Sequence, residues 1–177
     1  MRKSTKAVVT TTLALGTLFG IGTTGVLEQP ATAHAATHTT SAYYNYKGYA
    51  GQDVSFVLDK NFKNAVKAES VTFNGIKLKD THSSKNIKKY DQYFRNVAKN
   101  GKTASLLDMK VTGHLSLAQL NKVYGKDLQK IDNGKKNTTG IYYYQPNENG
   151  MTVWFDVEKG KVDRVVMGYS TVKKAMK

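Results

Sequence analysis

Ile141-Tyr142-Tyr143-Tyr144, Met151-Thr152-Val153-Trp154-Phe155-Asp156-Val157 and Val162-Asp163-Arg164-Val165-Val166-Met167-Gly168-Tyr169 are three runs rich in β-branched and aromatic side chains. Pro146-Asn147-Glu148-Asn149-Gly150 and Lys159-Gly160 separate them. Strand-forming residues broken by turn chemistry at this spacing predict an antiparallel three-stranded meander. Upstream, beyond the polar loop Asp132 to Thr139, stands the clearest helix signal. The Ser116 hydroxyl is a capping group, Leu117, Leu120 and Val123 form an inward stripe, and Gly125 stands where the helix can stop. A helix leading into a meander, preceded by further strand and short helix, predicts an α+β domain. Its sheet is expected to be mostly antiparallel, with one or two short helices packed on one face.

Further towards the N-terminus, Asp59 can cap a short helix over residues 61–67, whose Phe62, Ala65 and Val66 share a face. Val71, Phe73, Ile76 and Leu78 flank Asn74-Gly75, a dipeptide that favours a tight primed turn. Val54-Ser55-Phe56-Val57-Leu58 reads as a first strand behind a tyrosine-rich edge made by Tyr43, Tyr44, Tyr46 and Tyr49. Residues 87–97 fit two periods: Tyr90, Phe94 and Val97 have helical spacing, whereas Gln92, Phe94 and Asn96 alternate against Tyr93 and Arg95. Asn100-Gly101 and the returning run Leu106, Leu107, Met109 and Val111 favour a hairpin.

Residues 1–35 have the parts of a secretory signal peptide. Arg2, Lys3 and Lys6 precede an apolar run to Leu27, and Ala33-His34-Ala35 is a small-x-small exit, so cleavage is expected before Ala36. Residues 36–48 read as a flexible leader, 49–170 as one globular domain, and 171–177 as a basic tail. No transmembrane segment is expected in the mature protein. The chain contains no cysteine, so neither disulfides nor thiolate metal sites are available, and stability must come from packing.

The residue supply for catalysis is thin. His38, His82 and His114 form no H-x-x-x-H pair, no glycine-rich phosphate loop follows a strand, and Asp132-Asn133-Gly134 lacks the spaced oxygen ligands of a calcium loop. No enzyme activity, metal or cofactor is expected. Charge is the prominent feature: residues 36–177 carry 24 Lys plus Arg against 12 Asp plus Glu, a net +12. Residues 60–110 alone hold twelve basic and four acidic groups, net +8.

Within that segment Lys85, Lys88, Lys89, Arg95, Lys99 and Lys102 interleave with Tyr90 and Tyr93, a mixture suited to phosphate contact with stacking beside it. Lys60, Lys63 and Lys67 on the first helix, with Lys122 and Lys126 on the second, extend the cationic set, and Lys130 continues it at i+4 spacing. Composition leaves the polyanion open between nucleic acid, teichoic polymers, heparin-like chains and anionic lipid. A protein-interaction or inhibitor module, using an aromatic sheet face, is the alternative of a different class.

Six stretches carry a family resemblance: Thr12-Leu13-Ala14-Leu15-Gly16-Thr17-Leu18, Phe56-Val57-Leu58-Asp59-Lys60-Asn61-Phe62, Phe73-Asn74-Gly75-Ile76-Lys77-Leu78, Lys89-Tyr90-Asp91-Gln92, Tyr124-Gly125-Lys126-Asp127-Leu128 and Gly140-Ile141-Tyr142-Tyr143-Tyr144-Gln145. In this order the chain resembles the immunodominant staphylococcal antigen B family. The resemblance implies a secreted, partly surface-associated, virulence-related protein that binds extracellular DNA or RNA with little sequence preference. It supplies no site motif, so the binding residues named above rest on charge alone.

Overall fold

A computed structural model of the chain describes residues 42–131, 134 and 136–170. The expected signal peptide, most of the leader and the basic tail lie outside these residues. The meander is present: β8 (Gly140–Tyr144), β9 (Thr152–Glu158) and β10 (Lys161–Gly168) pair antiparallel in sequence order. Asn149 and Lys159, at φ +57° and +50°, make the reversals that their polar, glycine-flanked loops permit.

Two helices form where the capping residues place them. In α1 (Lys60–Lys67) the Asp59 carboxylate accepts from the Asn61 N–H at 2.8 Å, and Phe62, Ala65 and Val66 are buried. In α2 (Leu117–Tyr124) Ser116 and Gln119 form a reciprocal capping box. The buried stripe of α2 is Leu117, Leu120 and Tyr124, with Val123 only half-buried. Spacing i, i+3, i+7 follows the 3.6-residue turn more closely than the expected i, i+3, i+6. The helix stops at Gly125, which has φ +54°, so Lys126 falls in a 3-10 turn and Lys130 in strand β7 (Leu128–Lys130). These lysines do not continue the helical row expected from Lys122.

The sheet corrects the expectation in its parallel pairings. Strand β1 (Tyr44–Tyr46) runs parallel to β2 (Val71–Phe73), which turns at Asn74-Gly75 into β3 (Ile76–Leu78). Strand β3 then lies parallel to the start of β6 (Thr103–Lys110). The order is β1-β2-β3-β6-β10-β9-β8-β7: the sheet is mostly antiparallel as expected, but mixed, because β1–β2 and β3–β6 are parallel. Strand β6 takes β3 at residues 103–104 and β10 at residues 106–110, and its length accommodates both. Residues 87–97 are extended rather than helical: β5 (Gln92–Val97) returns antiparallel into β6 through Asn100-Gly101, the expected hairpin, and β4 (Ile87–Lys89) adds a second hairpin that turns at Tyr90-Asp91.

Val54–Leu58 is a 3-10 helix, not the expected first strand. Strict alternation would send Phe56 and Val57 to opposite sides, yet both are buried, and the tight turn keeps Val54, Phe56 and Val57 together. Phe56 packs against the rings of Tyr44, Tyr46, Phe62 and Phe73, with centroids 5.0–6.3 Å away. The tyrosine edge therefore begins the sheet at Tyr44, inside the stretch read as leader.

The main core gathers the inward side chains of α1 and α2 with Phe94, Leu107, Met109, Val153, Phe155 and Val165 on one sheet face. The opposite face carries a second cluster of Leu106, Trp154 and Val166, which Ile141 and Tyr143 help to cover. All described residues fall within one unit of chain contacts, His38–Lys177.

Candidate functional site

The β4–β5 hairpin places the predicted aromatic and basic residues by simple alternation. Ile87 and Phe94 pair and face the core, so their neighbours Lys88 and Tyr93, also paired across the hairpin, face the opposite side. Tyr90 occupies the turn at φ +54°. Among the described residues the exposed large apolar side chains are all tyrosines: Tyr43, Tyr49, Tyr90 and Tyr93, with 42–52% of each in solvent. The Tyr49 and Tyr90 rings meet edge to face, centroids 5.0 Å apart at 81°.

A buried amide network joins the Tyr49 loop to this hairpin. Gln92, wholly buried, donates from Nε2 to the Gly48 carbonyl at 2.8 Å and to Asp91 Oδ1 at 2.5 Å. Its Oε1 accepts from Asn74 Nδ2, which also donates to the Gly48 carbonyl at 3.0 Å. Asn74 Oδ1 in turn accepts from the Gly48 N–H at 2.8 Å, and Asp91 Oδ2 accepts from the Gly51 N–H at 2.8 Å. Gly51 approaches so closely that a Cβ there would run into the Lys110 carbonyl. Tyr49, Asn74, Asp91 and Gln92 were not among the residues expected from charge. Their sequence signal is a glutamine at an inward position of an alternating strand, a polar group that needs buried partners.

Several of the predicted cations already have partners within the fold. Lys89 Nζ donates to the Asn74 carbonyl at 2.8 Å, which ties it to the same network. Arg95 pairs with Asp108, whose Oδ2 also accepts from Arg164 Nη2 at 2.6 Å while Oδ1 accepts from Arg164 Nε at 2.8 Å. Partial burial pushes the Asp108 carboxyl up, but hydrogen bonding and charge from Arg164, then from Arg95, outweigh it and hold the group below the usual carboxylate range. Lys63 bridges Asp127 at 3.0 Å and lies 5.4 Å from the ring centres of Tyr124 and Tyr144.

The remaining predicted residues do not converge on one spot. Lys85, Lys88, Lys99 and Lys102 are exposed on the β4–β5–β6 segment, but Lys99 and Lys102 lie in the turn at the end of β5 remote from Tyr90. Lys60, Lys67, Lys122 and Lys126 are exposed on the helical side. Of these, Lys67 and Lys126 line one cleft of about 270 Å³ with Asp127, Gln129 and Gln145. The site is therefore a set of cationic patches, and the β4–β5 hairpin combines lysine with solvent-exposed rings.

Among the described residues no group of three or more His, Asp or Glu is placed to hold a metal, and no helix is long and apolar enough to cross a membrane. The family model described as immunodominant staphylococcal antigen B matches residues 43–167. Proteins of that name from Staphylococcus aureus strains USA300 and COL are each 43% identical to this chain over 175 residues, covering 98% of both sequences. No solved structure matches the chain.

Proposed function

The chain belongs to the immunodominant staphylococcal antigen B family, and from that premise we propose that it is a secreted, non-enzymatic protein that binds extracellular DNA or RNA with little sequence preference. The observation that carries this reading is the β4–β5 hairpin, where Lys88 stands across from half-exposed Tyr93 and the turn residue Tyr90 pairs with exposed Tyr49, in a segment of net charge +8. Exposed ammonium groups suit phosphates of any sequence, and open rings suit the faces of any base. Lys85, Lys88, Lys99 and Lys102 supply the charge on this segment, and the helical-side lysines extend the field around it.

Binding of this kind releases condensed counterions. With 6 to 10 phosphate contacts, affinity falls by about 10³ to 10⁵ between 50 and 200 mM salt. The test is a salt titration of labelled DNA and RNA, with heparin and teichoic acid as competitors at fixed ionic strength. A steep salt dependence with nucleic acid as the preferred ligand supports the proposal. Affinity that hardly responds to salt refutes the electrostatic mechanism, and preferential displacement by teichoic acid or heparin reassigns the ligand. Secretion is tested separately, by sequencing the N-terminus of the protein recovered from culture medium; it is expected at Ala36.

A further inference from the structure

Resting on that reading, we infer that the Tyr49–Tyr90 pair is a preorganised stacking site for unpaired bases, with Tyr93 a further open ring on the outward face of the hairpin, so that the protein favours single-stranded over duplex nucleic acid. The fold has the means to bury tyrosines and does so elsewhere: Tyr124, Tyr142 and Tyr144 are buried in the core. Tyr49, Tyr90 and Tyr93, on and beside the hairpin, instead stay about half in water. Leaving such apolar area exposed forgoes the stabilisation that burial would give. A ligand with flat faces recovers it.

The placement of Tyr49 is what the amide network secures. Gly48 and Gly51, on either side of Tyr49, are held to Asn74, Gln92 and Asp91 by hydrogen bonds of 2.8–3.0 Å. Buried amides are costly unless satisfied, and here Gln92 uses its carbonyl oxygen and its amide nitrogen together. The result is a loop fixed against a turn from a distant part of the sequence, with Tyr49 and Tyr90 set at 81°. An edge-to-face pair occupies one face of one ring only, so each ring keeps a face for a base. Fixing the rings beforehand reduces the ordering cost on binding.

Charge around the site agrees with the ligand. Lys88 lies directly across the hairpin from Tyr93, where the phosphate of a stacked nucleotide needs a counter-charge. The nearby carboxylates are engaged internally: Asp91 by Gly51 and Gln92, and Asp108, opposite Tyr93 on β6, by two arginines. Duplex nucleic acid presents its bases already stacked and offers the tyrosines no free faces. It is held through phosphates alone.

The experiment compares the full chain with the triple variant Tyr49→Ala, Tyr90→Ala, Tyr93→Ala, by fluorescence anisotropy on a labelled single strand and a hairpin duplex of equal phosphate number at one salt concentration. Stacking on one aromatic ring is worth on the order of fivefold or more in affinity, so the triple variant is expected to lose at least about tenfold for the single strand and less than about twofold for the duplex. The triple Tyr→Phe variant keeps the rings and is expected to keep the single-strand affinity. Equal losses on both ligands, or no loss on the single strand, overturn the inference while leaving nucleic-acid binding standing. Failure of the unaltered chain to bind either ligand at low salt overturns the functional reading and this inference together.

Discussion

Asp108→Asn separates stability from binding. The carboxylate sits in β6 between Tyr93 of β5 and Val166 of β10, accepting from Arg95 and twice from Arg164, with 13% of its side chain exposed against 20% and 25% for the two arginines. Asparagine has nearly the same shape. It turns one acceptor oxygen into an NH₂ aimed at guanidinium donors, and it removes the charge that offsets two cations. A hydrogen bond to a charged group contributes about 1.5–3 kcal/mol, and removing one member of a well-buried pair costs about 3–5 kcal/mol. Residual exposure and non-additivity place this substitution at about 2–4 kcal/mol, or a fall in Tm of roughly 10 °C for a domain of this size. Because Asp108 is held below the usual carboxylate range, its contribution is present above the unfolded pKa of about 3.9 and is lost as pH falls through the lower folded value. Thermal melts followed by circular dichroism should show a constant gap between the two proteins from pH 7 to about 4, narrowing below that. Under the same reasoning the variant, one positive charge richer on that face, binds single-stranded DNA at least as tightly at low salt. A gap of under 1 °C at pH 7, or a gap unchanged well below the usual carboxylate range, refutes the account of the Arg95–Asp108–Arg164 cluster.

Three further outcomes follow from local geometry. Gly75→Ala meets no neighbour but must hold φ near +80°, so it is expected to cost about 1 kcal/mol in urea unfolding, whereas Gly168→Ala, at φ +133°, drives a Cβ into the Ser105 carbonyl and is expected to cost more than about 4 kcal/mol. Similar unfolding midpoints for the two would contradict this. Ser116→Ala removes the hydroxyl that accepts from the Gln119 N–H at 3.2 Å and is expected to lower stability by about 1 kcal/mol, with faster amide exchange in the first turn of α2. Tyr44 is pushed up to about 12 by burial, then by the charges of Asp59, Tyr46 and Asp53. Its contribution is complete below the unfolded value of about 10 and is lost as pH rises through 12, so Tyr44→Phe should flatten the fall in Tm across that window.

How far the site was legible follows from what each residue depends on. Tyr93 could be placed because alternation along one strand sets it against Gln92 and Phe94, and it sits on that face; the turn at Tyr90-Asp91 that brings Lys88 across from it carries no such signal, since the turn chemistry stands at Asn100-Gly101. In the sequence Tyr49 has the signature of a sheet-edge tyrosine. Its position beside Tyr90 depends on Asn74 and Gln92, 25 and 43 residues away in the chain, and no local pattern carries that information. Arg95 and Lys89 looked like any other cations in the segment. Their partners, Asp108 and the Asn74 carbonyl, are supplied by β6 and the β2–β3 turn.

By itself the sequence determined what neighbouring residues settle between them: the meander, the Asn74-Gly75 turn, both helix caps, the excess of positive charge and the family resemblance. Capping groups, glycines at turns and side-chain period act over a few residues, and their energies do not wait for the rest of the fold. Tertiary structure alone decided the parallel pairings β1–β2 and β3–β6, the 3-10 turn at Val54–Leu58, and the division of lysines between a hairpin tip and a helical side. Each depends on which distant surfaces become buried together. Burial is non-directional and proportional to area, so many partners compete until the whole core closes.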